Sequence, residues 1–308
     1  MRLDICYRTV FTFDTPVRES QNEMRACPVT GERQQLLNYR ITVEPAARML
    51  PFTDYWGTRV DQFGVTEPHT VLEVTAEASV ETQDPAPLPA SAPASTPMEL
   101  LADQDFLNQH DEFLKPTRHT QWDRTLADEA RKLTGTKGTK GLDVVGAVTA
   151  LHDFVGDRLD YRPGTTEIGQ PITDILAQGV GVCQDYAHLA VTLCRSVGIP
   201  ARYVSGYLFS SDDRTGSIDG DLVRVQTHAW FEAAVPGSGW LAFDPTNRMP
   251  VGRRHVKIGH GRDYDDVPPL RGVYSGPCTP DVNASVEIRR MDPTERQQES
   301  RSAGQQQQ

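Results

Sequence analysis

Three short motifs carry residues whose side chains could together break an amide bond. Cys183 follows Gly179-Val-Gly-Val, His228 lies in Thr-His-Ala-Trp, and Asp244 ends Trp-Leu-Ala-Phe-Asp. A thiol can attack a carbonyl carbon, an imidazole can carry the proton, and a carboxylate can hold the imidazole in one tautomer. We therefore take Cys183, His228 and Asp244 as the candidate catalytic residues.

The residues after Cys183 predict a helix that begins close to this cysteine. A turn precedes it, apolar residues recur at helical spacing, and Gly198 and Pro200 provide a stop. The free N–H groups and positive dipole at a helix start favour a thiolate and can hold an oxyanion. Cys194 lies within the apolar stripe, and we expect it to be a buried hydrophobe.

The runs that contain His228 and Asp244 alternate like two strands of a hairpin, joined by the turn-forming segment Pro236-Gly-Ser-Gly. If Ala234 pairs with Trp240, His228 and Asp244 share one face; a shift of one residue would separate them. We expect the face with His228, Trp230 and Glu232 to be exposed to a cleft.

The pattern along the chain predicts a small all-β domain followed by an α+β domain. Alternating runs such as Leu3–Phe13 fill residues 1–82, and a Pro/Ala-rich linker spans 83–97. Helical periodicity, clearest over Asp143–Leu159, precedes strand-like runs at Ala201–Phe209, Leu222–Val235 and Trp240–Asp244 in the core with its extension, 98–290. Residues 291–308 are polar and are expected to be a disordered tail.

Composition narrows the classes of partner and cofactor. The 308 residues carry a net charge of -11, which disfavours nucleic acid and anionic membranes as partners. The five cysteines form no CxxC pair, so we expect no disulfide framework, metal or cofactor. The sequence shows neither a long apolar run nor a secretory signal, which predicts a cytoplasmic location. Oligomeric state cannot be inferred from these data.

Four linked motifs resemble the bacterial branch of the transglutaminase-like cysteine enzyme superfamily. They are the Cys183 motif, Ile199-Pro-Ala-Arg-Tyr-Val-Ser-Gly, Thr227-His-Ala-Trp and Gly239-Trp-Leu-Ala-Phe-Asp-Pro-Thr-Asn. The resemblance implies a papain-like/transglutaminase-like core, with helices packed on an antiparallel sheet, behind a β-rich amino-terminal domain. The Cys, His and Asp of this superfamily correspond to Cys183, His228 and Asp244. Papain-type enzymes differ, since their His follows the Cys by about 130 to 150 residues.

The resemblance leaves the reaction open. It implies a peptide or protein substrate and a thioester on Cys183, released by water in an amidase or peptidase or by an amine in a transglutaminase. We expect hydrolysis; a non-catalytic peptide-binding module is the other alternative. The Cys183 N–H is the expected oxyanion donor, and Gln178, Tyr161 and Gln184 are the candidates for a second one.

Overall fold

The computed structural model describes residues 1–85, 95–135, 141–166, 169–210 and 221–291. Most of the predicted linker and nearly all of the predicted tail therefore lie outside the described residues. None of the described helices is long and apolar enough to cross a membrane.

The described elements are fifteen strands, five α-helices and three short 3-10 helices. In chain order they are β1 (Arg2–Met24), β2 (Gln34–Glu44), β3 (Met49–Thr53), β4 (Arg59–Val65), β5 (His69–Thr82), a 3-10 helix (Met98–Ala102), α1 (Gln104–His110), a 3-10 helix (Asp111–Phe113), α2 (Arg124–Thr134), α3 (Val144–Arg158), β6 (Asp160–Tyr161), α4 (Ile172–Gln178), β7 (Val180–Gly181), α5 (Cys183–Ser196), β8 (Ala201–Leu208), β9 (Leu222–Val225), β10 (His228–Val235), β11 (Gly239–Asp244), β12 (Met249–Pro250), β13 (His255–Gly261), a 3-10 helix (Tyr264–Asp266), β14 (Leu270–Ser275) and β15 (Asp281–Arg290).

Two large sheets contain most of the described strands, and β6 and β7 form a separate parallel pair. The larger has the order β2-β5-β1-β15-β9, with β14, β4 and β3 joined to its margin through β1. The smaller has the order β12-β11-β10-β8-β13, all antiparallel, and helices cover one of its faces. There Phe231 and Val235 of β10 share a buried cluster with Leu189 and Leu193 of α5. The structure is therefore of the predicted α+β class, with helices packed on an antiparallel sheet.

Helix α3 agrees closely with its prediction. It spans Val144–Arg158, and the Asp143 carboxylate caps it by accepting a hydrogen bond of 2.8 Å from the Gly146 N–H. Val148, Leu151 and Val155 are fully buried because they recur on one face at helical spacing.

Strand β1 is longer than its sequence pattern indicated. Asp14 and Pro16 suggested an end, but the strand continues to Met24, and its pairing with β5 shifts between Thr12 and Val17. Proline lacks an N–H and fits such an irregularity in a strand. The first half of β1 thus belongs to the main sheet, while the second half pairs with β4 and β14.

Segments from the carboxy-terminal half complete the amino-terminal sheet. Strand β15 pairs with β1 over ten residues, from Leu3 with Arg290 to Thr12 with Asp281, and β9 pairs with the other side of β15. The run Leu222–Val235 is therefore two strands in different sheets. The carboxy-terminal extension therefore contributes a strand to the amino-terminal sheet. The domain boundaries given above remain a prediction.

Candidate active site

Helix α5 begins at Cys183 as predicted, and a buried carboxylate fixes its first turn. Asp185 accepts hydrogen bonds from the Val182 N–H at 2.8 Å and from the Thr166 hydroxyl at 2.7 Å. Burial raises the pKa of Asp185 despite both donors. The Asp185 and Tyr186 N–H groups bond to the Val182 carbonyl, which leaves the Cys183 and Gln184 N–H groups as free donors of the first turn.

The hairpin has the register that places His228 and Asp244 on one face. Ala234 pairs with Trp240 and Phe231 with Phe243, as expected. His228 then reaches diagonally across to Asp244, and its Nε2 lies 2.7 Å from Oδ2 of the carboxylate. The predicted histidine and carboxylate are therefore in direct contact.

Asp244 is fully buried and accepts several hydrogen bonds. Oδ2 accepts from Asn247 Nδ2 at 2.8 Å and lies 3.1 Å from His255 Nε2, while Oδ1 accepts from the Asn247 N–H at 3.2 Å. Burial acts to raise the pKa of Asp244, but His228 and His255 outweigh it, so the pKa lies below its usual range. The carboxylate is therefore ionised at neutral pH.

His228 links Asp244 to Cys183. With Nε2 on Asp244, Nδ1 is the ring nitrogen left for Cys183, which lines the same two cavities as His228 and is near enough to affect its pKa. Burial alone would lower the pKa of His228, but the charge and hydrogen bond of Asp244, together with Cys183, raise it to about 10. An imidazolium beside a sulfur stabilises negative charge on that sulfur. Cys183 Sγ also lies 3.9 Å from the Thr227 carbonyl oxygen.

Two adjoining cavities share the Cys183 side chain. The strand cavity, about 520 Å³, is lined by residues of β15 and of the β9–β10 connection. The helix cavity, about 380 Å³, is lined by residues at the start of α5, by Tyr203 and by Tyr264. Cys183 and His228 line both, so a substrate could extend away from the sulfur in two directions.

The three candidates for a second oxyanion donor differ in position. Tyr161 lines both cavities and Gln184 lines the helix cavity, so both lie beside Cys183. Gln178 is exposed at the end of α4 and lines neither cavity. As the second oxyanion donor, these positions favour Tyr161 or the first turn of α5 over Gln178.

The expectation of an exposed face around His228 is wrong for its two neighbours. Trp230 is buried against Val251 and His255, and Glu232 is buried between Arg202 and Lys257 at 2.6 Å and 2.7 Å. The amino-terminal segment covers this part of the sheet, since Val29 and Gln34 donate hydrogen bonds to the Lys257 carbonyl. Only the His228 end of the face reaches the cleft.

Asn247 and His255 were not identified from the sequence. Asn247 follows Asp244 in the Asp-Pro-Thr-Asn turn, where an Asx residue three positions on could have suggested a local hydrogen bond. His255 begins β13, which joins the sheet through β8 and not through the hairpin. No local pattern pointed to it.

Two groups among the described residues could hold a metal ion, because their ligand atoms lie within 4.8 Å of one another. One is His228, Asp244 and His255, and the other is His119, Asp263 and Asp265. In the first group, the short hydrogen bond between His228 and Asp244 occupies the atoms that an ion would need. The arrangement is therefore suited to proton transfer.

The fold is that of a transglutaminase-like core, and sequence comparison assigns the family. The profile described as "Transglutaminase-like superfamily" matches residues 128–245, and the one described as "Bacterial transglutaminase-like N-terminal region" matches residues 3–81. The chain belongs to this bacterial transglutaminase-like family, as the resemblance implied.

Relatives of similar length match nearly the whole chain. An uncharacterized protein of Mycobacterium leprae is 37% identical over 94% of this chain and 99% of its own. One from Mycobacterium tuberculosis is 31% identical over 93% and 92%. Among solved structures, a Cytophaga hutchinsonii protein proposed to be a cysteine protease is 25% identical, with a TM-score of 0.71 over 95% of this chain and 92% of that chain.

Proposed function

We propose that the protein hydrolyses a peptide, isopeptide or side-chain amide bond through a thioester on Cys183. The observation that carries the proposal is the hydrogen bond of 2.7 Å between His228 and the buried Asp244, beside cavities that His228 lines together with Cys183 at the first turn of α5. The likeness to the Cytophaga hutchinsonii protein supports it. A cytoplasmic location is proposed with it.

In the first half of the reaction, the thiol proton of Cys183 passes to Nδ1 of His228, and Sγ bonds to the substrate's carbonyl carbon while the π electrons of the C=O bond move to its oxygen. The negative charge that develops on the carbonyl oxygen is held by the Cys183 and Gln184 N–H groups at the first turn of α5. The C–N bond then breaks, and the leaving nitrogen takes the proton from His228. An amine and a Cys183 thioester result.

In the second half, water replaces the amine. His228 takes a proton from the water as its oxygen attacks the thioester carbon, and the same proton returns to the sulfur when the C–S bond breaks. Asp244 keeps Nε2 of the ring occupied throughout, so Nδ1 alone exchanges protons with sulfur, amine and water. The product is a carboxylic acid.

The test is product profiling on a mixed peptide library. The wild-type protein should release new amines and carboxylic acids, and Cys183→Ala should release none. Cys278→Ala should match the wild type, because Cys278 lines neither cavity and its Sγ donates to the Thr15 carbonyl at 3.6 Å. Equal product from wild type and Cys183→Ala would contradict the proposal.

Amine transfer by the same three residues is the alternative, and a labelled primary amine distinguishes it. With a glutamine peptide and the amine both present, hydrolysis predicts deamidation in excess of amine incorporation. Incorporation in excess would assign the transglutaminase reaction. Failure of both reactions with an unreactive Cys183 would favour the non-catalytic peptide-binding module.

A further inference from the structure

Strand β15 is paired along only half of its second edge. Its first edge pairs with β1 from Asp281 to Arg290. Its second edge pairs with β9 only at Val286–Arg289, because β9 ends at Val225. Within the described ranges, residues 281–285 of β15 have no strand on that side.

The backbone groups that face the unpaired edge can be identified from two hydrogen bonds at the end of β15. The Arg290 N–H donates to the Asp221 carbonyl on the β9 side, and the Met291 N–H donates to the Arg2 carbonyl on the β1 side. Successive residues of a strand direct their N–H and C=O groups to alternate sides, and neither pairing of β15 has a register shift. The N–H and C=O groups of Val282 and Ala284 therefore face the unpaired edge.

This edge belongs to the strand cavity beside Cys183. Asn283, Ala284 and Ser285 line the cavity together with Cys183 and His228. At Gln226 and Thr227 the chain leaves β15 and runs into β10, and the Thr227 carbonyl oxygen lies 3.9 Å from Cys183 Sγ. The place opposite Ala284, which β9 would fill if it continued, opens toward the sulfur.

We propose that the polypeptide substrate binds as an added strand on this edge, with its backbone hydrogen-bonded to Ala284 and Val282 and its reacting carbonyl at Cys183. The occupant is an extended peptide, because unpaired N–H and C=O groups at strand spacing are what such a backbone complements. The inference rests on the proposed function, since it places the substrate of that site.

Backbone recognition has a consequence for specificity. Hydrogen bonds to the main chain do not depend on side-chain identity, so the enzyme should accept many sequences that can extend over residues 282–285. Folded or helical segments would be poor substrates, because their backbone groups are already paired. Unstructured tails and linkers are the substrate class that fits.

Disulfide exchange at Cys183 measures this binding without turnover. Cystamine first converts Cys183 to its mixed disulfide with cysteamine and releases one cysteamine. Peptides of one to five alternating Thr and Val residues, with a cysteine at either the amino or the carboxyl end, then displace this cysteamine by thiol–disulfide exchange, and peptide mapping measures the product. We expect five-residue peptides of one polarity to be favoured over cysteamine in the disulfide with Cys183 by about tenfold or more, because several weak hydrogen bonds accumulate. The other polarity directs the chain away from β15.

Two comparisons test whether the peptide backbone is the hydrogen-bond partner of the β15 edge. N-methylation of alternate peptide residues should abolish the gain, while methylation of the intervening ones should leave it. Ala284→Pro removes the N–H that faces the edge and should reduce the gain at least about threefold, whereas Ala284→Thr keeps that N–H and should preserve it. Proline is tolerated on an edge strand whose N–H is unpaired, so Ala284→Pro should unfold close to the wild-type midpoint.

Failure of the added-strand binding and failure of the proposed hydrolysis would give different results. Normal exchange of Cys183 with cysteamine but no dependence on peptide length in either polarity would overturn the added strand. So would a length gain that survives both Ala284→Pro and N-methylation. Absence of amide hydrolysis, with the length dependence intact, would overturn the proposed reaction and leave the peptide-binding edge supported.

Discussion

His255 Nε2 lies 3.1 Å from the same Asp244 oxygen that His228 contacts at 2.7 Å. The other ring nitrogen of His255, Nδ1, is the acceptor for the Gly252 N–H at 3.3 Å, so the ring proton is on Nε2 and is donated to Asp244. One buried carboxylate thus holds two histidines, and only His228 reaches the cleft. His255 acts as a positioning residue for Asp244.

Replacing His255 should weaken catalysis through Asp244. His255→Phe keeps a ring against Trp230 but removes the donor, and a hydrogen bond to a charged group contributes about 1.5–3 kcal/mol. We expect kcat to fall about tenfold to a hundredfold with little change in KM. Because the donor helps to lower the pKa of Asp244, its loss should raise that pKa, and the fall in kcat/KM should be larger toward acid pH.

His255→Gln is the matched control for that change. Its side-chain amide can still donate to Asp244, so it should recover much of the rate and of the pH profile. An equal fall at every pH in both variants would mean that His255 serves packing alone.

The pair of His228 and Asp244 should make stability depend on pH in a calculable direction. His228 has a pKa of about 10 in the folded protein against 6.5 as the ordinary value, so its contribution is complete below about 6.5 and is lost as the pH rises through about 10. Lys257 has the opposite effect on the pH dependence of stability. Burial lowers its pKa to about 8, although the charge of Glu232 acts to raise it. The difference between wild type and a His228 variant isolates the first contribution.

Urea unfolding of wild type and His228→Asn at several pH values measures this difference. It should be largest near pH 6 and should decrease steadily toward pH 10, because the variant has no imidazolium to lose. Below about pH 4 it should decrease again as Asp244, whose pKa lies below its usual range, becomes protonated. A difference that stays constant from pH 6 to pH 10 would contradict the charged state assigned to His228.

Local sequence signals predicted the parts of the site that local structure builds. The start of α5 at Cys183 followed from a turn, apolar spacing and a stop, and the hairpin register followed from the alternation around His228 and Asp244. Both involve neighbours in the chain, whose geometry is set by turns and by side-chain periodicity.

The strand pairings and site residues that the sequence did not predict depend on contacts between distant segments. The run Leu222–Val235 alternates like one strand, yet its first four residues pair with β15, and His228–Ala233 pair with β8. His255 reaches Asp244 only because β13 pairs with β8, and the Val29–Gln34 segment buries Glu232 from another part of the chain. Choice among alternative strand partners is a tertiary property that a single sequence pattern does not specify.

The buried cluster of Glu232, Arg202 and Lys257 should matter for folding. Burial would raise the pKa of Glu232, but the charges of Lys257 and Arg202 lower it to about 2, and the Arg202 guanidinium also lies 3.8 Å from the centre of the Trp240 ring. Glu232→Gln leaves two buried cations with a neutral partner. We expect the free energy of unfolding to fall by about 3–5 kcal/mol.

Glu73→Gln provides the comparison on the surface. Glu73 binds Arg8 at 2.6 Å, a distance equal to that between Glu232 and Arg202, but the pair is solvated, so its loss should change stability little. Denaturant unfolding at pH 7 compares the two variants. Equal losses in both would show that burial does not set the strength of these ion pairs.

The reactivity of Cys183 should differ from that of the other cysteines. Cys27 and Cys194 are buried, whereas Cys183 and Cys278 are half-buried and can be compared directly. An ordinary thiol has a pKa of about 8.5 and is almost fully protonated at pH 6. Because the His228 imidazolium stabilises negative charge on the adjacent sulfur, Cys183 should react with iodoacetamide at least about tenfold faster than Cys278 at pH 6.

Peptide mapping after brief alkylation measures each rate, with glutathione as the free thiol. His228→Asn should reduce the rate at Cys183 to that of glutathione and leave Cys278 unchanged, since Cys183 shares its cavities with His228 and Cys278 does not. If Cys183 in the wild type reacts no faster than glutathione below pH 7, the sulfur is not activated. In that case the protein would retain the family's fold with a peptide-binding role and no thioester chemistry.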